Sequence, residues 1–141
     1  MSDVTTTFAL LTPVPQVHLE DGAAVCAEVG KVAFGSRAWE VFRDVDMLRG
    51  NQSVDVYIYA SQQPGDGYPA VSWMGRYVGH FEGVNGAHPE GMKYRPPSTS
   101  EDVSDNLGHW AVFWELERLY RLPKDEQLFT HQFRGYEKKS R

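Results

Sequence analysis

Within the stretch "GSRAWEVFR", Arg37, Trp39 and Glu40 place a cation, a flat aromatic surface and a carboxylate almost side by side. An aromatic side chain can wall a ligand cleft, and Arg37 and Glu40 could supply hydrogen bonds to what it holds. Further aromatic walls are available in Tyr57, Tyr59, Trp73 and Trp110, and Thr12 and Ser61 add small hydroxyls. The competing use of each ring is core packing, and that of Arg37 and Glu40 is a surface ion pair, which adds little stability.

Other chemistry has weaker support in the sequence. No Walker loop, G-x-G-x-x-G, G-x-S-x-G or H-E-x-x-H pattern is present, and no cofactor is expected. Cys26 lies in an Ala/Val-rich run with no base nearby, which suits a buried structural thiol better than a nucleophile. His18, His80, His88, His109 and His131 are scattered without the close pairing that metal sites favour, so no metal is expected.

The elements that must position these residues read as follows. "TTFALLT" (6–12) is β-prone, and Pro13 and Pro15 are expected to stop its pairing. Val25, Val29 and Val32 mark one face of a helix near 21–33, with Gly35 as its stop. The stretch 37–43 fits two periods. Ala38, Val41, Phe42, Val45 and Leu48 suit a helix capped by Ser36, and the alternation of "AWEVFRD" suits a strand. "VDVYIYAS" (54–61) is a strand with Val54, Val56, Ile58 and Ala60 on its core side. "AVSWMGRYVGHFEGV" (70–84) is a second strand, with Val71, Trp73, Gly75, Tyr77, Gly79, Phe81 and Gly83 on one face. Glycine at every fourth position wastes packing on a flat sheet but relieves crowding on the concave side of a closing barrel, or admits a close neighbour. Residues 85–108 read as a long loop, with Ser98 and Glu101 spaced as in a capping box, and "HWAVFWELERLYRL" (109–122) returns to strand alternation.

With 141 residues, 41% hydrophobic and 23% charged, the chain is expected to form one soluble domain with its own core. A lone cysteine excludes an intrachain disulfide and suits a reducing compartment. The first twenty residues lack a basic, then apolar, signal pattern, and no run approaches the length of a membrane span. The expectation is a cytoplasmic protein with no membrane partner. The net charge of −5 argues against coating long nucleic acid. Residues 118–141 nevertheless carry seven Lys/Arg against three acids, so the segment 129–141 reads as a basic tail, either simply solvated, the favoured reading, or an edge able to hold a few phosphates.

The order of elements resembles the PUA-like superfamily of small β-barrels, which includes the ASCH, EVE and YTH domains. The likeness spans roughly residues 6–128. The ASCH signature G-x-K-x-x-E-x-R is approximated by Gly35, Arg37 in the lysine position and Glu40; Phe42 stands at the final arginine, with Arg43 one residue later. The resemblance implies an α+β fold: a small, mixed, strongly curved barrel with one or two flanking helices, in which 37–43 is a strand. It also implies a cleft at the barrel mouth for RNA or for a modified nucleobase or nucleoside. Thr12, Arg37, Trp39, Glu40, Tyr59, Ser61, Trp73 and Trp110 are the candidate lining. Some ASCH-like proteins resemble small amidohydrolases of acylated nucleosides. In that case Glu40 would serve as base and Arg37 as charge stabiliser, although arginine cannot act as a neutral amine. A third class is an interaction domain that binds no nucleic acid.

Overall fold

The computed structural model describes residues 4–61, 70–100 and 110–129. Strand β1 (Leu10–Pro15) leads directly into helix α1 (Gln16–Val29), followed by β2 (Val32–Ser36) and helix α2 (Trp39–Arg49). Three longer elements, β3 (Val54–Ser61), β4 (Ala70–Glu82) and β5 (Val112–Arg121), carry most of the sheet, and β6 (Leu128–Phe129) adds a short pairing to β4. The strands lie in the order β1-β3-β4-β5-β2, with β1 parallel to β3 and the other pairs antiparallel. The result is a mixed α+β fold around a strongly curled half-barrel, its edge strands β1 and β2. Among the described residues, no helix is long and apolar enough to cross a membrane.

The curl has identifiable causes. Ile58 and Tyr59 of β3 face Trp73 and Val71, so β4 holds one extra residue there. Between Met74 and Arg76 the extra residue is on β5, where Arg118 takes a φ of 56°. Between Tyr77 and Gly79 it is on β4, and Gly79 takes a φ of 148°. Each bulge bends its strand and increases the local twist. The bend expected near Gly75–Gly83 is therefore present.

The bulge also overturns the single-face reading of 71–83. Val71, Trp73, Gly75 and Tyr77 do share the core side. Past Val78 the alternation shifts by one residue. His80 then pairs with the core-facing Trp114, and Phe81 pairs with Phe113 on the outer face. The glycines serve close packing as well as bending. A Cβ on Gly75 would come 3.3 Å from Leu116 Cδ1, and one on Gly83 would run into the Trp110 carbonyl oxygen.

Three local expectations are corrected. Pro13 and Pro15 do not end pairing; they face Tyr59 and Ser61 within β1, where an edge strand tolerates the missing N–H groups. Helix α1 begins at Gln16 rather than near 21, because Pro15 sets the entry and His18, Leu19, Gly22 and Cys26 form the buried face. It stops at Gly30, whose φ of 94° supplies the left-handed cap, rather than at Gly35. The segment 37–43 is not a strand. Ser36 Oγ accepts from Ala38 N at 3.0 Å, and α2 then buries Phe42 and Val45 at helical spacing. Phe42 stacks on Trp114 (centroids 5.8 Å apart) and packs against Tyr77, which makes it a core residue that a strand could not place. Ser98 lies in a 3-10 turn over Pro97–Ser100; Glu101, the other half of the expected capping box, lies outside the described residues.

Helix α1 packs against β5 and β2, enclosing a core of Leu19, Cys26, Val32, Val56, Ile58, Trp114 and Leu116. A second buried layer lies on the outer face of β5. There His88, Tyr94 and Arg95 cover Phe113, while Glu115 meets both His88 and Lys31.

Candidate functional site

Because β1 and β2 are the sheet's unpaired edges, the half-barrel has a seam, and a cavity of about 580 Å³ opens there. Thr12 to Pro15 of β1 form one side, and Phe34 to Ala38 form the other. His18 of α1, Arg95, Trp110 and Trp114 complete the lining. The volume falls within the ~300–1,000 Å³ typical of small-molecule sites.

Trp110 owes its position to glycine. A Cβ on Gly35 would stand 2.5 Å from the indole Cγ and 2.6 Å from Cδ1, so only glycine lets the ring lie against β2. The same strand is tied to the start of β5 by Ala111 N donating to Ser36 O at 3.0 Å. Behind the cavity, Phe34 and Trp114 pack 5.2 Å apart.

The polar lining is held from outside the sheet. The imidazole Nδ1 of buried His18 lies 2.7 Å from Ser98 Oγ, and Ser98 N donates to Asp21 Oδ2 at 2.9 Å. Arg95 is buried and donates from Nη1 to Ala33 O at 3.1 Å, with its guanidinium 5.0 Å from the Phe113 ring. Ala33 N in turn donates to Tyr94 O at 2.7 Å. Arg37 is exposed and shares the lining with Ser36 beside it in sequence and with Thr12 across the cavity. The described lining contains two arginines and a histidine and no carboxylate. Such a site suits a planar ligand carrying negative charge or oxygen acceptors.

Of the candidates read from the sequence, Thr12, Arg37 and Trp110 come together here. Trp39 begins α2 and is 48% exposed, lining a different cavity with Arg43, His80 and Glu82. Glu40 is exposed in the first turn of α2 and lines neither cavity. Tyr59 and Ser61 pair with Pro13 and Pro15 and do not line the seam cavity. Trp73 is a core residue whose Nε1 donates to Gln16 Oε1 at 3.3 Å.

His18, Phe34, Arg95 and Trp114 also line the cavity but were not among the candidates. Only Trp114 carried a usable signal, since alternation put it on the same face as Trp110. Nothing local marks His18 or Arg95; long-range packing brings them in.

No group of three or more His, Cys, Asp or Glu residues suited to a metal occurs among the described residues. The Cys26 thiol is buried against Leu116 O. The site thus defines a class by geometry alone: a curled half-barrel with an aromatic, arginine-bearing cavity in its open seam. The chain matches no protein-family model, no curated protein and no solved structure.

Proposed function

We propose that this protein is a binding module for RNA or for a modified nucleobase or nucleoside, held in the seam cavity between β1 and β2. The observation that carries this reading is the Trp110 indole set against Gly35, beside Arg37, Thr12 and Ser36. A base stacks on the indole, the hydroxyls bond its edge, and Arg37 meets the phosphate or ribose. The element order read from the sequence resembles PUA-like barrels, and that resemblance implies the same use. The lone buried thiol, Cys26, suits action in the cytoplasm.

Calorimetric titration with ribonucleosides and short single-stranded RNA tests the proposal. Trp110→Ala should weaken binding about 10- to 100-fold, and Arg37→Ala should flatten its salt dependence. Removing residues 134–141 should lower affinity for RNA more than for nucleosides if the basic tail contributes. Absence of binding to every probe would defeat the reading.

One observation favours a second reading, an assembly domain. Phe8, Leu10, Val41, Met47 and Leu48 line an apolar groove between β1 and α2, and Met47 is 76% exposed. Light scattering of the protein and of Met47→Lys separates the two: self-association lost in the variant would favour assembly.

A further inference from the structure

The seam cavity has a neighbour. A second cavity, about 540 Å³, is lined by Trp39, Arg43, His80, Glu82, Ala111 and Val112. The two abut across consecutive residues: Ala38 lines the first and Trp39 the second, and likewise Trp110 and Ala111. Between them the chain makes a tight turn, with Trp39 N donating to Arg37 O at 2.9 Å and Ala38 N to Ser36 Oγ at 3.0 Å. The first cavity therefore has Trp110 and Trp114 in its lining and the second has Trp39, and exposed Arg37 lies in the turn between them.

We propose that the second cavity takes the neighbouring base of the same strand, so that the unit recognised is a dinucleotide step of single-stranded RNA rather than an isolated nucleoside. This rests on the nucleic-acid reading of the first cavity. Trp39 is half exposed, and the Arg43 guanidinium lies 5.2 Å from its ring centroid and steadies it. A base stacks on such a ring as readily as on Trp110. Arg37, at the turn between the rings, meets the phosphate that joins the two nucleotides.

The other charges of this cavity are accounted for on each side. Arg43 also pairs with Asp44 at 3.1 Å, and His80 Nδ1 pairs with Asp46 Oδ2 at 2.8 Å, an aspartate that also takes Arg49 Nε at 2.7 Å. Glu82 is exposed and forms no ion pair among the described residues. A carboxylate there repels phosphate but accepts from an exocyclic amino group, which adenine, cytosine and guanine carry and uracil lacks. The second position should thus disfavour uracil.

Calorimetry with the four ribonucleoside 5′-monophosphates and the matching homodinucleotides tests the inference. At least one amino-bearing dinucleotide should bind about ten-fold tighter than its monophosphate. Trp39→Ala should erase that gain while leaving monophosphate affinity unchanged, and Trp39→Phe should keep most of it. Glu82→Ala should reduce the disadvantage of the uridine dinucleotide. If dinucleotides bind no tighter than monophosphates, or Trp39→Ala weakens both alike, the second site is overturned and the first stands. If no monophosphate, dinucleotide or longer RNA binds, both readings fall together.

Discussion

The indole of Trp110 rests on the backbone of Gly35, so close that a single methyl group on Gly35 would lie 2.5–2.7 Å from three of its ring atoms. Gly35→Ala should therefore push the ring out of the seam cavity. The carbons of an indole in a packed site yield only by moving the whole ring, and overpacking of this kind costs about 1–3 kcal/mol. We expect lower urea stability, a shifted tryptophan fluorescence maximum, and loss of ligand binding beyond what the stability change explains. Wild-type fluorescence in Gly35→Ala would show that the contact is not fixed in solution.

The glycines of β4 should differ among themselves, because each meets a different obstacle. At Gly75 the nearest atom is Leu116 Cδ1 at 3.3 Å, a side-chain end that can give way. At Gly79 the space is open, with Arg49 Nη2 at 3.6 Å, but the φ of 148° strains any L side chain. At Gly83 the obstacle is the Trp110 carbonyl oxygen, which is main chain and cannot rotate aside. Alanine substitutions should thus cost least at Gly75, about 1–2 kcal/mol at Gly79 and most at Gly83. Thermal melts of the three variants check the order; equal losses would mean that only sheet curvature matters.

Strand β3 was legible because alternation survives where one face is buried, and Val54, Val56 and Ile58 announce it. Strand β5 shows Val112, Trp114 and Leu116 on the core side, but its outer face is buried too, at Phe113 and Glu115. Bulges were not legible, since an extra residue leaves the composition unchanged; this is why Phe81 was put on the wrong face. The start of α2 was not legible either. Seven residues fit both periods, and the choice was made by Phe42 stacking on Trp114, more than seventy residues away in the chain. The seam cavity was half legible. Thr12, Arg37 and Trp110 have side chains suited to a ligand, but His18 and Arg95 arrive through α1 and the segment beneath β5, and no local pattern encodes that meeting.

Tyr77 gives the fold an alkaline limit. Its hydroxyl donates to Asp46 Oδ1 at 2.8 Å and lies 3.1 Å from His80 Nδ1. Burial first, then the hydrogen bond and negative charge of Asp46, hold the phenol protonated far above its usual range. Its folded pKa is raised, so its contribution is complete below the unfolded value near 10 and is lost as pH rises beyond that toward the folded value. Wild-type stability should fall above pH ~10 with an added slope of up to ~1.4 kcal/mol per pH unit. Tyr77→Phe removes that part of the slope and costs ~1.5–3 kcal/mol at neutral pH, the worth of a hydrogen bond to a charged group. Urea titrations between pH 7 and 11 test both. An unchanged alkaline slope in Tyr77→Phe would assign the loss to other groups.

Glu115 should be the costliest single carboxylate to remove among those described. It is 3% exposed on the outer face of β5, with Lys31 Nζ 2.7 Å from Oε1 and His88 Nε2 3.1 Å from Oε2. Lys31 also lies over the Tyr94 ring at 4.5 Å and near Phe81 at 5.8 Å, while His88 is wedged among Phe81, Tyr94 and Phe113. In Glu115→Ala, Lys31 can turn its amine to water because it is partly exposed, but His88 loses its partner in place. Breaking one side of a buried charged pair costs about 3–5 kcal/mol, and the exposed lysine should hold this case near the lower figure. Replacing both charges with apolar groups, Lys31→Met with Glu115→Leu, should recover part of the loss, since two desolvated charges are removed together. A double-mutant cycle by urea unfolding measures the coupling. Additive losses in that cycle would show that Lys31 and Glu115 contribute independently and that His88 alone depends on the carboxylate.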